Sequence, residues 1–473
     1  MNALSEDMID TMTTQLQEWD KSDCKVIFVM KSSGPAFCAG GDVKSFADPT
    51  NIDVSMRQVQ KMYSLSHLIA TLDTPYVAVL DGVAIGGGLG ISVHAPFRIA
   101  TENTIVGIPE GGIGFFADTA LSFFLSRLPD GSRLGKYLAL TGRMLKGMEA
   151  VMAGIATHYV PSDRIPALVE RLSSISTSDL REINHVIEEF AGSTPSKAEW
   201  EEWSLHNELR LAFESLTLFS GPQQSPWSTA TLAHMRNQSP TYMKVVVEQL
   251  KRAKSMDIAS CFRMDYRIAH GFMHTPDLRT GITAVLVDKL KKRPEWNPSL
   301  EEVLGGGVLK DRDVARIYFG DFDADEREGK EVPPEIPPEG SGLVLHNDRT
   351  FEQYVHRTVT GLPAEEDIRR VVGGEIAGSG NFALTADEVV DWFLSNWGAF
   401  LDPTTLGYTS NPPPASMGGG KYLDESGGDP SEPHTRREQR RQPWGVRQRV
   451  EAIVDTCCER FGEGGAYLRW RRG

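Results

Sequence analysis

Apolar positions in the first 157 residues follow two alternating periods. Short unbroken runs rich in β-branched residues, CKVIFVM (24–30) and YVAVLD (76–81), predict strands buried inside a sheet. Between them MRQVQKMYSLSHLIATL (56–72) carries its apolar residues at helical spacing. After FRIA (97–100), the stretches LSFFLSRL (121–128) and GMEAVMAGIA (147–156) predict further helices. The chain opens on a helix, with Ser5 and Glu6 placed as its start signals. Such alternation is the mark of an α/β fold. From about 160 to 305 the pattern turns helical, clearest in YMKVVVEQLKRAK (242–254) and AVLVDKLKK (284–292).

Beyond 305 the pattern thins, which divides the chain into a 1–305 domain and a 306–473 extension. REGKEVPPEIPPEGSG makes 327–342 a Pro/Glu/Gly-rich linker. Helical spacing returns in EEDIRRVV and ADEVVDWFLSNW; 402–443, with NPPPASMGGG and ESGGDPSEP, predicts disorder. The last thirty residues are Arg-rich and partly helical, and no internal repeat is evident.

Bulk numbers narrow the function classes. A length of 473 residues exceeds a single small core. The net charge of −15 argues against a nucleic-acid binder acting through its whole surface, although a local basic patch remains open. Five cysteines at irregular spacing, with no zinc pattern, indicate a reduced compartment and no metal centre. No run of 18 apolar residues predicts a membrane span, so no membrane partner is expected.

Three segments carry candidate chemistry. SSGPAFCAGGD (32–42) follows a strand and ends in Gly40–Gly41; DGVAIGGGLG (81–90) follows another and opens a helix. Glycines after a strand let the backbone approach a ligand, and two such turns facing each other aim two N–H groups at one oxygen. The GxGxxG spacing of a dinucleotide site is absent. The third segment, PEGGIGFFAD (109–118), sets Glu110 and Asp118 on either side of an apolar turn. The two carboxylates are either an acid/base pair or a loop start and a helix cap, and composition alone does not choose.

Together AFCAGGD, PYVAVLDGVAIGGGLGISVHAPFRIATE, PEGGIGFFAD and LTGRMLKGMEAVMAGIATHYV resemble the crotonase (enoyl-CoA hydratase/isomerase) superfamily, and within it the 3-hydroxyisobutyryl-CoA hydrolases. The match runs in order to about residue 160 and resumes at DLRTGITAVLVDKLKKRPEWNP (277–298). The resemblance implies a spiral of ββα units closed by a helical C-terminal segment. It also implies strands ahead of the Asn2–Ala3–Leu4 segment at which this chain opens, so the sheet is expected to lack its first strands and to expose an edge.

For the site, the resemblance implies an oxyanion hole from the Gly41 and Gly87 amides, with Ala39 and Lys44 at the CoA moiety. Glu110 becomes the catalytic carboxylate, attacking the thioester to give an anhydride that water opens, and Asp118 holds the substrate hydroxyl. Burial should raise the pKa of Glu110 against its ionised role unless nearby amides offset it. No metal or redox cofactor is implied, since CoA arrives with the substrate. Hydratases of the family carry a second glutamate three residues after the middle glycine; here that position is Gly90, which favours thioester hydrolysis over hydration.

Other positions depart from the pattern. Ala117 stands where relatives have a proline, Lys61–Met62 where they have an acid before Tyr63, and Thr280 where a glutamate is common. Gly111–Gly112 replace bulkier residues, which implies a looser loop. Cys38 and His94 are expected to be structural, and Cys457–Cys458 a half-buried thiol pair. The leading function is hydrolysis of a short hydroxyacyl-CoA, 3-hydroxyisobutyryl-CoA of valine breakdown above all. The alternatives are a mitochondrial small-ribosomal-subunit protein, bound through the Arg- and aromatic-rich C-terminal tail, and an enoyl-CoA hydratase or isomerase. Mitochondrial location follows from the resemblance alone, which also leaves room for a homo-oligomer.

Overall fold

The computed structural model describes residues 1–128, 133–196, 226–290, 292–321, 342–347, 365–375, 384–396, 446–461 and 465–471. Most of the linker and all of the 402–443 segment lie outside the described residues.

Successive strands alternate between two sheets. β1 (Ile27–Met30), β3 (Tyr76–Leu80), β5 (Phe97–Ala100) and β8 (His158–Tyr159) form one sheet in that order, every pair parallel. β2 (Ala36–Cys38), β4 (Val83–Ile85), β6 (Ile105–Gly107) and β7 (Leu145–Lys146) form the other, parallel as far as β6, with β7 antiparallel. This is the expected spiral of ββα units, with β1 at an edge. The continuous apolar runs follow from burial on both faces. Val77, Val79, Phe97 and Ile99 meet the helices Ile165–Ser173 and Leu180–Phe190. The alternate residues Tyr76, Ala78, Leu80 and Ala100 point into the main core.

The helices begin where local signals put them. Ser5 accepts the Met8 amide to cap Glu6–Asp20. Ser239 caps Pro240–Ala253, and Asp257 caps Ile258–Met273. The main core does not stop at 305: Val314 and Tyr318 of the helix Asp311–Phe319 belong to it, as does Leu343. A second, smaller core joins the helices Glu365–Val372, Ala386–Asn396 and Val446–Cys457 with the hairpin of β9 (Cys458–Phe461) and β10 (Tyr467–Trp470). Both Cys457 and Cys458 are buried there, deeper than a half-buried pair, because the chain changes from helix to strand between them.

The helix expected over 284–292 ends early. A single π turn, Thr283–Val287, closes it, and Lys289 takes a left-handed φ of 51°. The break sends the chain back along the fold. Trp296 can then bury its ring and donate to the Asn237 carbonyl, while the Asn297 amide reaches Asp277.

One contact in this region controls the loop at 110–118. The helix Pro276–Ile282 lies so close to it that a Cβ on Gly281 would stand 2.3 Å from the Ile113 carbonyl oxygen. Gly281→Ala should therefore cost about 1–3 kcal/mol. Gly112→Ala, whose new methyl meets nothing nearer than 3.9 Å, should leave stability within about 0.5 kcal/mol. Thermal melts of the two variants check this, and equal melting temperatures would contradict the packing.

Candidate active site

The three motif segments leave neighbouring parallel strands at the same end. Gly41 follows β2, Gly86–Gly87 follow β4 and Glu110 follows β6, and those strands pair in the order β2, β4, β6. Parallel pairing gathers every carboxyl end on one edge, where a ligand meets loops from several strands.

The first two turns face each other. A Cβ on Gly87 would lie 3.2 Å from the Gly41 nitrogen, and one on Gly40 would lie 3.6 Å from the Gly87 nitrogen. The N-terminal segment orients the Gly41 amide: the Leu4 amide donates to the Gly40 carbonyl and the Asp42 amide to the Leu4 carbonyl. The Gly41 N–H is thereby turned away from that bridge. Gly87 is the first residue of the short helix Gly87–Gly90, so its N–H has no partner within the helix. Neither amide donates to another backbone group among the described residues. Two free, converging donors are what an oxyanion requires.

Glu110 completes this corner. A methyl group at Gly86 would stand 2.8 Å from its Oε1, so the carboxylate lies on the backbone just before Gly87. Its Oε2 is buried with no hydrogen-bond partner among the described residues. Burial pushes the Glu110 carboxyl well above the usual carboxylate range, and the charge of Asp118 adds to the push. Burial also raises Asp118, to about 7, against the lowering effect of the nearby Tyr63 hydroxyl. Each carboxyl thus holds its proton to a higher pH than an exposed carboxylate would.

Asp118 is not a helix cap. Ala120 precedes the helix Leu121–Leu125 and no side chain caps it. The apolar residues between the two carboxylates anchor the loop: Phe115 and Phe116 are buried against Phe272, and Phe115 also meets Phe46. Gly111–Gly112 do not loosen it. The Tyr242 ring lies on Gly111, where a Cβ would come within 2.4 Å, and the Ser239 amide donates to the Gly111 carbonyl.

The remaining sequence candidates divide. Ala39 lies between Gly41 and β2, half-buried, with its amide on the Met1 carbonyl; Lys44 stands exposed on the turn Val43–Ala47. Lys61 points away and pairs with Glu6 and Asp10 on the surface. Its neighbour Met62 turns inwards, its sulfur 3.4 Å and 3.1 Å from where methyl groups on Gly41 and Gly87 would be. An apolar thioether therefore borders the two amides. Gly90 packs on Thr119, so close that a Cβ would meet it at 2.7 Å. Cys38 is a packed thiol, pushed up to about 11 by burial. His94 holds the Thr119 carbonyl at 2.9 Å, and burial lowers its pKa to about 4.

Two site residues were missed by motif reading. Asp265 is buried beside Asp118 and accepts the Ala120 amide at 2.7 Å. Gln249 donates to Asp265 at 2.7 Å and to the Ala117 carbonyl at 3.0 Å. The signal was present as a polar residue on the apolar face of each helix. Val245, Val246 and Leu250 surround Gln249, and Cys261, Phe262, Ile268 and Ala269 surround Asp265. Among the described residues no three His, Cys, Asp or Glu groups gather to hold a metal ion.

Comparison with known proteins follows the same lines. The family model for enoyl-CoA hydratase/isomerase matches residues 1–306. The small ribosomal subunit protein mS47 of Neurospora crassa is 36% identical over 426 residues, 83% of this chain and 77% of that protein. The mitochondrial 3-hydroxyisobutyryl-CoA hydrolase of Dictyostelium discoideum is 36% identical over 340 residues, 67% of this chain and 86% of that protein. Among solved structures, a carnitinyl-CoA dehydratase from Mycobacterium thermoresistibile superposes with a TM-score of 0.58 at 24% identity, covering 73% of this chain and 93% of that one, and shares the fold.

The raised Asp118 carboxyl links stability to pH. The native chain keeps that proton up to about pH 7, whereas an unfolded aspartate releases it near 4, so this group lowers stability as pH rises through that window. Asp118→Asn removes the effect. Relative to the parent, its melting temperature should rise between pH 5 and pH 8 by the equivalent of roughly 1–3 kcal/mol. An equal difference at both pH values would show that Asp118 titrates normally.

Proposed function

As the chain belongs to the enoyl-CoA hydratase/isomerase family, we propose that it hydrolyses a short hydroxyacyl-CoA thioester, with 3-hydroxyisobutyryl-CoA as substrate and 3-hydroxyisobutyrate and CoA as products. The observation that carries this reading is the buried pair Glu110 and Asp118 set beside two unengaged amides, with glycine at position 90. The named 3-hydroxyisobutyryl-CoA hydrolases among its relatives support it.

In this reading the Gly41 and Gly87 amides receive the thioester oxygen. A Glu110 oxygen attacks the carbonyl carbon, and the charge that develops on the carbonyl oxygen falls between the two donors. The carbon–sulfur bond breaks and CoA leaves as its thiolate, to be protonated. Water then opens the acyl–glutamyl anhydride, releasing the acid and restoring the Glu110 carboxylate. Desolvation makes an ionised Glu110 a strong nucleophile. Asp118, on the far side of the loop, holds the acyl hydroxyl. Ala39 and Lys44 flank the path to the CoA moiety. CoA is part of the substrate, and no further cofactor is invoked. The mitochondrial 3-hydroxyisobutyryl-CoA hydrolases among its relatives support a mitochondrial location for that activity.

A second reading concerns the extension. The likeness to the Neurospora ribosomal protein runs over 426 residues, well past the 306 that the family model covers. In this reading the extension is the part through which the chain would join a mitochondrial small ribosomal subunit. Several arginines of its folded part are paired with their own neighbours, Arg460 with Asp455, Arg469 with Glu459 and Arg447 with Glu451. Docking would then use a folded surface more than free positive charge.

CoA release from 3-hydroxyisobutyryl-CoA, with crotonyl-CoA alongside, tests the first reading. Glu110→Gln should lower kcat by about 10³-fold or more, with folding retained. Undiminished turnover in that variant would sink the nucleophile assignment, and turnover of crotonyl-CoA alone would favour a hydratase. For the second reading, co-sedimentation with mitochondrial small ribosomal subunits should disappear when 434–473 are deleted; retention by the shortened chain would remove the extension from that role.

A further inference from the structure

The turn that presents Asp118 is an expensive piece of backbone. Thr119 and Ala120 are consecutive non-glycine residues with φ of 57° and 55°. Left-handed conformations of this kind cost of order 1–3 kcal/mol each and persist only where the surroundings over-determine them.

The four carbonyls of 117–120 and the Ala120 amide are all taken. The Ala117 carbonyl accepts from Gln249, the Asp118 carbonyl from Leu121 and the Thr119 hydroxyl, and the Thr119 carbonyl meets His94. The Ala120 amide donates to Asp265. Two of these partners reach in from helices more than 130 residues further along the chain, Gln249 from Pro240–Ala253 and Asp265 from Ile258–Met273. They are joined to each other by the Gln249–Asp265 hydrogen bond. The result is a closed clamp, Ala117–Gln249–Asp265–Ala120, with Asp118 in its mouth.

We propose that Asp265, braced by Gln249, is a positioning residue for the reaction: it holds the 117–120 turn so that the Asp118 carboxyl faces the Glu110 corner instead of solvent. The inference rests on Asp118 being a working carboxylate in the hydrolase reading. Asp265 touches no reacting atom; it acts through the Ala120 amide. Asp265 accepts from both the Ala120 amide and the Gln249 side chain, and these two bonds oppose the burial that pushes its carboxyl well above the usual carboxylate range. The groups that face Asp118 are Glu110 from its own loop, Tyr63 from the helix Ile52–Ala70, and Asp265 itself.

The test uses the full chain. In Asp265→Asn the side-chain oxygen can still take the Ala120 amide, but its NH2 then meets the Gln249 NH2, donor against donor. The brace is lost at little change in volume. Carboxyl-13C NMR of labelled aspartates, with Asp118→Asn to assign the signal, follows the titration of Asp118 directly and needs no catalysis. The titration should fall from about 7 towards 4 as the turn relaxes and water reaches the carboxyl. In parallel, kcat for 3-hydroxyisobutyryl-CoA should drop about 10- to 100-fold with KM changed less than about threefold.

A folded Asp265→Asn protein with an unmoved Asp118 titration and unchanged kcat overturns the proposal, as does a titration shift that Gln249→Met, which keeps the Asp265 carboxyl, fails to reproduce. Should Asp265→Asn fail to fold, Gln249→Met breaks the same brace from the other side, and the same readouts decide. Absence of hydrolysis in the parent chain would count against the hydrolase reading, while the Asp118 titration would still accept or reject the clamp.

Discussion

Two carboxylates buried within reach of each other's charge are the constraint on which this structure turns. Water would stabilise Glu110 and Asp118 as separate anions; inside the protein one charge raises the cost of the other. The chain tolerates this only because the loop between them cannot relax. Phe115 and Phe116 are packed into the core, Gly111 is covered by Tyr242, and the far end is gripped by Asp265 and Gln249. Each grip comes from a helix after residue 238, so the helical second half of the domain holds the loop of the α/β first half.

The donors depend on topology in the same way. No residue of β2, β4 or β6 is itself chemical; what matters is that the three strands run parallel side by side, so their carboxyl ends deliver two glycine turns and one glutamate to a single corner. Backbone amides serve here because they cannot titrate and are held by the ladder that made them. The Leu4–Gly41 bridge adds one further restraint, and it comes from the first residues of the chain.

The C-terminal unit obeys a different logic. Its helices and hairpin close a small core of their own, touching the larger body where Ala452 meets Met148 and Met152. None of the candidate catalytic groups lies within it. A separate core allows a second role to be carried without disturbing the buried pair, and the long match to a ribosomal protein falls on a chain built in that way.

Much of this was legible before the fold. Apolar periodicity marked β1 and β3 and the helix Ile52–Ala70, and the order of the Gly-rich and acidic segments pointed to Gly41, Gly87, Glu110 and Asp118. Local signals suffice where a property is local: a β-branched run, a Ser cap, a glycine after a strand. The reading failed where distant residues decide. The helix over 284–292 breaks where the chain turns to bring Trp296 and Asn297 back to Asn237 and Asp277. The Gly111–Gly112 turn is tight because a tyrosine about 130 residues away lies on it. Asp265 and Gln249 drew no notice because a polar residue in an apolar stripe does not say which backbone group it will meet. The sequence by itself determined the fold class and the chemical kinds of the candidate site groups, since these follow from residue type and spacing. Only the tertiary structure decided which way Asp118 faces and how its proton is held, because burial and hydrogen bonding are properties of neighbours in space, not along the chain.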